Sequence, residues 1–278
     1  MLNVCDLSTD GCFTLGATVG AVVAIAGHPY LSIAAAMAAG IASGFITAIL
    51  QTKMGINSLL AGIIVNTGLY SINIAVMSGS SILNMNKTDT VFTKMAALVK
   101  GTPVARQSKL FVAIIAVAAV AVILGLFLKT GLAIRATGDN PDMVRSSSVN
   151  PAFTTIIGLC VANSFTALSG CLLAQSQRSV NIDIGTGMVT IALASLLIGG
   201  VFLGRKKMPL RIFGMVLGAF IFRLIYTIAL RFDMPAFMLK FVSSVIVIAA
   251  IATPYFKKQL PLLKRRIQTR SGRRKADA

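Results

Sequence analysis

Glutamate and tryptophan are absent from this 278-residue sequence, histidine occurs once, and charged residues make up only 12% of it. Without glutamate no HExxH zinc site can be written, and the general acid/base glutamate of several metalloenzyme motifs is excluded. The lone His28 falls in a tight GHPY turn between apolar runs and reads as a loop residue. Of the four cysteines, Cys160 and Cys171 share one apolar run, about 16 Å apart if helical, so they cannot bridge each other and no disulfide framework is suggested. The opening residues MLNVCDLSTD lack the basic region and apolar core of a cleaved leader. No GxxxxGK[ST] phosphate loop occurs, so the chain carries no nucleotide site of that type.

What the sequence does have is apolar length. Hydrophobic residues reach 56% and the mean hydropathy is +0.84, whereas soluble domains carry about 25% charge. This composition describes an all-α, polytopic membrane helix bundle. Spans are expected at 13–27, 31–50, 58–79, 110–128, 152–175, 186–203, 210–230 and 236–256, about eight crossings in one transmembrane domain over 1–256, with a basic cytoplasmic tail at 257–278. The first and sixth spans are short, and each follows a polar Asp/Gly cluster, TDGCF (9–13) and NIDIGTGM (181–188). Short interrupted spans at comparable places in two halves point to discontinuous helices along a transport pathway.

The formal charge of +18 lies between the apolar runs and in the tail, a placement that fits a membrane face and anionic lipid better than nucleic acid. With the tail inside, alternation puts Lys53, the 129–151 segment and Arg205, Lys206 and Lys207 in the cytoplasm. The basic loop 80–109 then lies outside, in conflict with the charge rule, and the orientation of 1–30 stays open. Gly16/Gly20, Gly40/Gly44, Gly200/Gly204 and Gly214/Gly218 recur at the spacing that lets helix backbones approach closely in lipid.

The stretch GLAIRATGDNPDMVRSSSVN (131–150) interrupts this apolar pattern. Asn140–Pro141 and Asn150–Pro151 each place a capping residue before a proline at the first helical position, which predicts a short helix at about 141–148 and a second helix from Pro151. Asp142 and Arg145 stand on the favourable sides of the helix dipole. A helix this short needs a docking surface; a connector lying on lipid headgroups is the competing reading.

Three stretches carry a resemblance. GLAIRATGDNPDMVRSSSVNPAF, CDLSTDGCFTLGA (5–17) and NIDIGTGMVTIALASLLIGG (181–200) resemble, in order, the loop, opening and span motifs of permease subunits in the ribose and branched-chain amino-acid branch of ABC importers, in an amino-acid-type subgroup. The resemblance implies that the 141–148 helix is a coupling helix docking on a separate cytoplasmic ATPase subunit. Arg135, Gly138, Asn140, Pro141, Asp142, Met143 and Arg145 would belong to that contact. It further implies an extracytoplasmic solute-binding protein, a second permease chain (most simply an identical copy), no cofactor, no nucleic-acid partner and a multi-pass location in the cell membrane. Where the family often ends the coupling helix with glycine this chain has Ser148, which costs about 1 kcal/mol if the position is left-handed. Relatives also carry a span before the first motif, whereas here Met1 stands close before Asp6; a misassigned start, a truncated gene and a dispensable span are the three readings.

Polar residues inside spans need a reason. Asn66, Thr67, Asn163, Ser164 and Thr166, with Ser169, are candidates for lining a translocation pathway, or for hydrogen bonding between helices. Asp10 and Asp183, at the openings of the two short spans, are candidate helix caps or gate residues. Arg223, deep in 210–230, calls for an internal partner such as an aspartate or backbone carbonyls. The sequence therefore predicts a non-enzymatic importer permease for a small polar solute, an amino acid being the first guess. The rival is a self-contained secondary transporter, disfavoured because no acidic residue falls in a span core.

Overall fold

The computed structural model describes residue 2 and residues 4–86, 88–98, 128–203 and 208–231, with residues 241, 244, 245, 248 and 252. Two compact units divide the chain, Met1–Thr186 and Gly187–Ala278. The first contains α1 (Thr9–Ile25), α2 (Pro29–Thr52), α3 (Ser58–Val76), β1 (Ile82–Asn84), α4 (Val91–Leu98), α5 (Leu128–Asp139), α6 (Pro141–Ser146), α7 (Pro151–Gln177), β2 (Ser179–Asn181) and a 3-10 turn at Ile182–Gly185. The second contains α8 (Met188–Leu203) and α9 (Met208–Arg231). Among the described residues four helical stretches are long and apolar enough to cross a membrane: Pro29–Thr52, Ser58–Val76, Pro151–Gln177 and Ile182–Gly200. Thr9–Ile25 and Phe213–Ile228 are shorter apolar helices. Apart from residue 128 and residues 241, 244, 245, 248 and 252, the spans expected at 110–128 and 236–256 lie outside the described residues, as do the basic tail and the basic 204–207 segment.

Helix ends follow from local chemistry. Proline occupies the first turn of α2, α6 and α7, where its missing N–H is not needed. α3 ends with Ser78 in the left-handed region (φ 56°); the Gly79 N–H reaches the Ile74 carbonyl and the Ser78 N–H the Ala75 carbonyl, a Schellman closure. β1 pairs antiparallel with β2, Leu83 opposite Val180, tying the segment after α3 to the segment after α7.

The first unit is packed inside out relative to a soluble domain. Many of its buried residues are small or polar, among them Cys12, Ala17, Ala21, Ser43, Thr47, Asn73 and Asn163, beside a few large ones such as Leu15, Leu69 and Met77, while Ile41, Phe45, Ile46, Leu60 and Ile64 are exposed. In hydrocarbon, burying Leu against Leu gains little over leaving it in lipid, so helices associate through close backbone approach and polar contacts. A Cβ on Gly16 would collide with the backbone of Ala167, one on Gly40 with that of Asn163, one on Gly44 with that of Leu159, and one on Gly170 with that of Phe13. The expected small-residue pairs on α1 and α2 are therefore the seams against α7. In the second unit the seam is shifted by one residue from expectation: Gly199 and Gly218 meet the backbones of Gly214 and Ser195, while Gly200 faces open space.

These contacts also set direction. Residues 16 and 20 of α1 meet 167 and 171 of α7, so the two helices run parallel; residues 40 and 44 of α2 meet 163 and 159, so α2 runs antiparallel. Gly62 meets Leu7 and Gly11 meets Leu69, making α3 parallel to α1. Consequently α1 does not begin at the end of the bundle. Its first turn stands level with the middle of α3 and of α7, and residues 4–8 form a non-helical entry held between them.

Replacing Gly16 by leucine should destabilise the fold by about 1–3 kcal/mol or more, because a backbone cannot step aside as a side chain can. Gly68→Leu on α3, with nothing within 4 Å of its Cβ position, should leave stability nearly unchanged. Thermal unfolding of the two variants in one detergent compares them.

Candidate functional site

The non-helical entry to α1 is fixed by Asp6. Its Oδ1 accepts from the Ser8 N–H (2.8 Å) and the Ser8 hydroxyl (2.6 Å), and its Oδ2 accepts from Asn163 Nδ2 (3.1 Å). Thr47 of α2 donates to Ser8 Oγ at 3.3 Å. An Asx-type turn thus supplies the polar partners that irregular backbone must have at this depth. Sequence reasoning quoted this stretch without assigning Asp6; the Asp-x-Ser spacing was the available signal.

A cavity of about 380 Å³ opens beside the first turn of α1. Asp10, Gly11 and Thr14 of α1 form one wall, Asn66, Thr67, Tyr70, Ser71 and Asn73 of α3 a second, and Ile182, Asp183 and Thr186 of the 3-10 turn a third. The two Asp/Gly clusters, separated by some 170 positions in sequence, therefore meet. Their contact requires glycine: a Cβ on Gly185 would occupy the space of the Asp10 carbonyl and the Thr14 hydroxyl. Neither aspartate is the capping residue. Ser8 precedes α1 and Asp10 sits in its first turn; Asn181 caps the 3-10 turn, its Oδ1 accepting from the Asp183 N–H at 3.1 Å. Both carboxylates stand at the favourable end of a helix dipole.

Of the pathway candidates, Asp10, Asn66, Thr67 and Asp183 share this cavity. Asn163, Ser164 and Thr166 are not among its lining residues. Asn163 is buried at the α1–α2–α7 junction, where its carbonyl also accepts from Cys12 Sγ (3.3 Å); Thr166 and Ser169 donate back to the Ala162 and Thr166 carbonyls of their own helix. For Asn163, Thr166 and Ser169 the structure shows hydrogen bonding within and between helices. Asn73 was missed, although Asn66, Tyr70 and Asn73 fall at the i, i+4, i+7 spacing of one helix face. Neither aspartate falls in the body of a helix: Asp10 sits in the first turn of α1 and Asp183 in the 3-10 turn before α8. Arg223, in the second unit, is exposed, and among the described residues its neighbour is the Tyr226 ring, 6.0 Å from the guanidinium carbon, rather than an aspartate.

At the far end of α7 the polar stretch is more helical than expected. α5 continues through Asp139, carrying Arg135, Thr137 and Gly138, and the chain turns only at Asn140. Asn140 Oδ1 accepts from the Asp142 and Met143 N–H groups (3.0 and 3.2 Å), capping α6. α6 is six residues long, shorter than the 141–148 expected. Ser148 is left-handed (φ 60°), with the Val149 N–H on the Val144 carbonyl and the Ser148 N–H on the Arg145 carbonyl, so the Schellman closure forms without the usual glycine. Val144 alone is buried in α6; Arg135, Asn140, Pro141, Asp142, Met143 and Arg145 are exposed and Gly138 is half-buried. Thr137 and Thr154 meet through their hydroxyls at 2.8 Å, clipping α5 to α7.

Ser148→Gly should relieve about 1 kcal/mol of left-handed strain, and Asn140→Ala should cost about 1 kcal/mol of capping. Amide hydrogen exchange over 142–149 should slow about fivefold in the first variant and quicken to a similar degree in the second.

Comparison with known proteins agrees with this geometry. Residues 1–251 match the family described as branched-chain amino acid transport system / permease component. The chain is 31% identical over 256 residues to the tyrosine transport system permease protein of Clostridioides difficile (strain R20291), covering 91% of this chain and 83% of that one. It is 27% identical over 221 residues to the ribose import permease protein of Escherichia coli (strain K12), covering 78% and 66%. No solved structure matches the chain. The apolar helices, the inside-out packing and a match over nearly the whole length lead to one conclusion: the chain belongs to the branched-chain amino-acid-type permease family of ABC transporters and is a multi-pass protein of the cell membrane.

Proposed function

We propose that this chain is the translocating subunit of an ATP-driven importer for an amino-acid-type solute, working by alternating access. The observation that carries the reading is the 135–149 segment. It is capped at both ends, exposes most of its polar side chains and buries only Thr137 and Val144, so its order calls for a partner surface that the described residues do not provide. Lys53, Arg135 and Arg145 collect at that end of the bundle, where α2 ends and α7 begins, which marks it as the cytoplasmic end. With that end inside, α1 runs outward from mid-depth, and the β1–β2 pair covers the outer end.

A cytoplasmic ATPase subunit docks on α6, with Arg135, Asn140, Asp142, Met143 and Arg145 presented to it. Closure of two such subunits on ATP displaces α6, and α7 passes the displacement to α1 and the Asp10–Asp183 cavity. A second copy of this chain completes the passage, and an extracytoplasmic binding protein delivers the solute. The longer and more similar match to a tyrosine permease favours an amino acid over a sugar.

Purification of the full chain from its native host should bring the ATPase with it. The double substitution Asn140→Ala, Arg145→Glu should reduce the co-purified ATPase at least tenfold while leaving the chain in the membrane. Solute accumulation by the purified chain alone, without ATP, would contradict the reading.

A further inference from the structure

At the end of the first unit opposite α6 lies a buried polar junction that takes no part in the cavity. Gln175 stands two residues before the end of α7 and is 1% exposed. Its Nε2 donates to Ser32 Oγ in the first turn of α2 (2.6 Å), and its Oε1 accepts from the Val91 N–H at the start of α4 (2.9 Å). Ser32 gives its own hydroxyl hydrogen to the Pro29 carbonyl (2.5 Å), so it accepts from Gln175, and an N–H can only donate to it; the amide is held in one orientation. One side chain thus joins three helices with both ends of its amide satisfied, the condition under which a buried polar group specifies a single arrangement.

α4 depends on this contact more than α2 does. α2 is fixed along α7 by the Gly40 and Gly44 seams, whereas α4, at eight residues, is too short to hold a helix alone. Its start is completed from two sides. Thr90 Oγ1 accepts from the Thr93 N–H (3.2 Å) and Thr93 Oγ1 from the Thr90 N–H (2.7 Å), a reciprocal cap, and Gln175 takes the Val91 N–H that this cap leaves over. α7 itself is one run of 27 residues, about 40 Å long, from Pro151 beside α6 to this junction. A displacement of α7 therefore carries α2 with it and loads the bond to Val91. We infer that Gln175 is a positioning residue for the transport cycle: it latches α4 to α7, and the stroke imposed at α6 releases that latch at the opposite end of the bundle. This rests on the proposal that an ATPase docks on α6.

The full chain with its co-purifying ATPase, in lipid nanodiscs, is followed by amide hydrogen exchange with and without magnesium and adenylyl imidodiphosphate, an ATP analogue that is not hydrolysed. Nucleotide should quicken exchange over 91–98 about fivefold or more, together with a change over 142–149. Gln175→Met and Val91→Pro cut the same bond from its two ends, and proline is tolerated at the first helical position. In either variant exchange over 92–98 should be fast without nucleotide and within about twofold of that value with it, while 142–149 still responds. A response at 142–149 with none at 91–98 in the unaltered chain overturns the inference, and it is the result a purely structural staple would give. A full nucleotide response at 92–98 in either variant overturns it as well. If one variant fails to assemble, the other and the unaltered chain decide. If no ATPase co-purifies, or nucleotide moves neither segment, α6 as its docking site falls and the inference with it; movement at α6 alone sinks only the latch.

Discussion

Backbone-to-backbone contact between α7 and the pair α1 and α2 is the constraint on which the remaining architecture depends. In lipid, large apolar side chains gain little by turning inward, and here many of them stay outside. Attraction between helices must come from dispersion at short range, which glycine and alanine permit, and from the hydrogen bonds that short separations bring into reach. Cys12 to the Asn163 carbonyl and Asn163 to Asp6 are bonds of this kind. Enlarging one seam residue would therefore remove polar contacts together with packing.

The same constraint explains how irregular backbone survives at mid-depth. Residues 4–8 and the 3-10 turn would be intolerable against hydrocarbon, because their amides and carbonyls need partners. Asp6 and Asn181 accept from the Ser8 and Asp183 N–H groups, the Thr9 hydroxyl donates to the Asp6 carbonyl, and Thr47 and Asn163 hold the Ser8 and Asp6 side chains in place. The chain can then afford two helix starts inside the bundle, and each start brings an aspartate to a depth that a continuous helix would forbid. The cavity between them follows from the two helix breaks rather than from any single element.

Much of the scaffold was legible in the sequence, because apolar run length and proline position are local signals. The starts at Pro141 and Pro151, the small-residue seams at Gly16 and Gly44 and the closeness of Ser148 to a helix end all came from spacing alone. The convergence of Asp10 with Asp183 did not, since it depends on the depth at which two distant helices begin. The polarity of Asn163 is visible in the sequence, whereas its hydrogen-bond partner Asp6, across the bundle, is not. α5 was missed as a helix because Arg135 and Asp139 make its last turns look like loop, although helices that leave the membrane need no apolar face there. Gly199 shows the finest limit: in the run GG, only geometry tells which glycine meets the neighbouring backbone.

The clip between Thr137 and Thr154 has a mechanical consequence. Among the described residues the path from α6 to the first turn of α1 is stiff: the hydroxyl pair couples α5 to α7, and close contact at Gly16 and Gly170 couples α7 to α1. Long side chains can change rotamer and absorb a displacement of an ångström, whereas glycine against a carbonyl cannot. Motion imposed at Asn140 would thus reach Asp10 as a rigid stroke, with its amplitude set by the tilt of α7 rather than by the softness of what lies between.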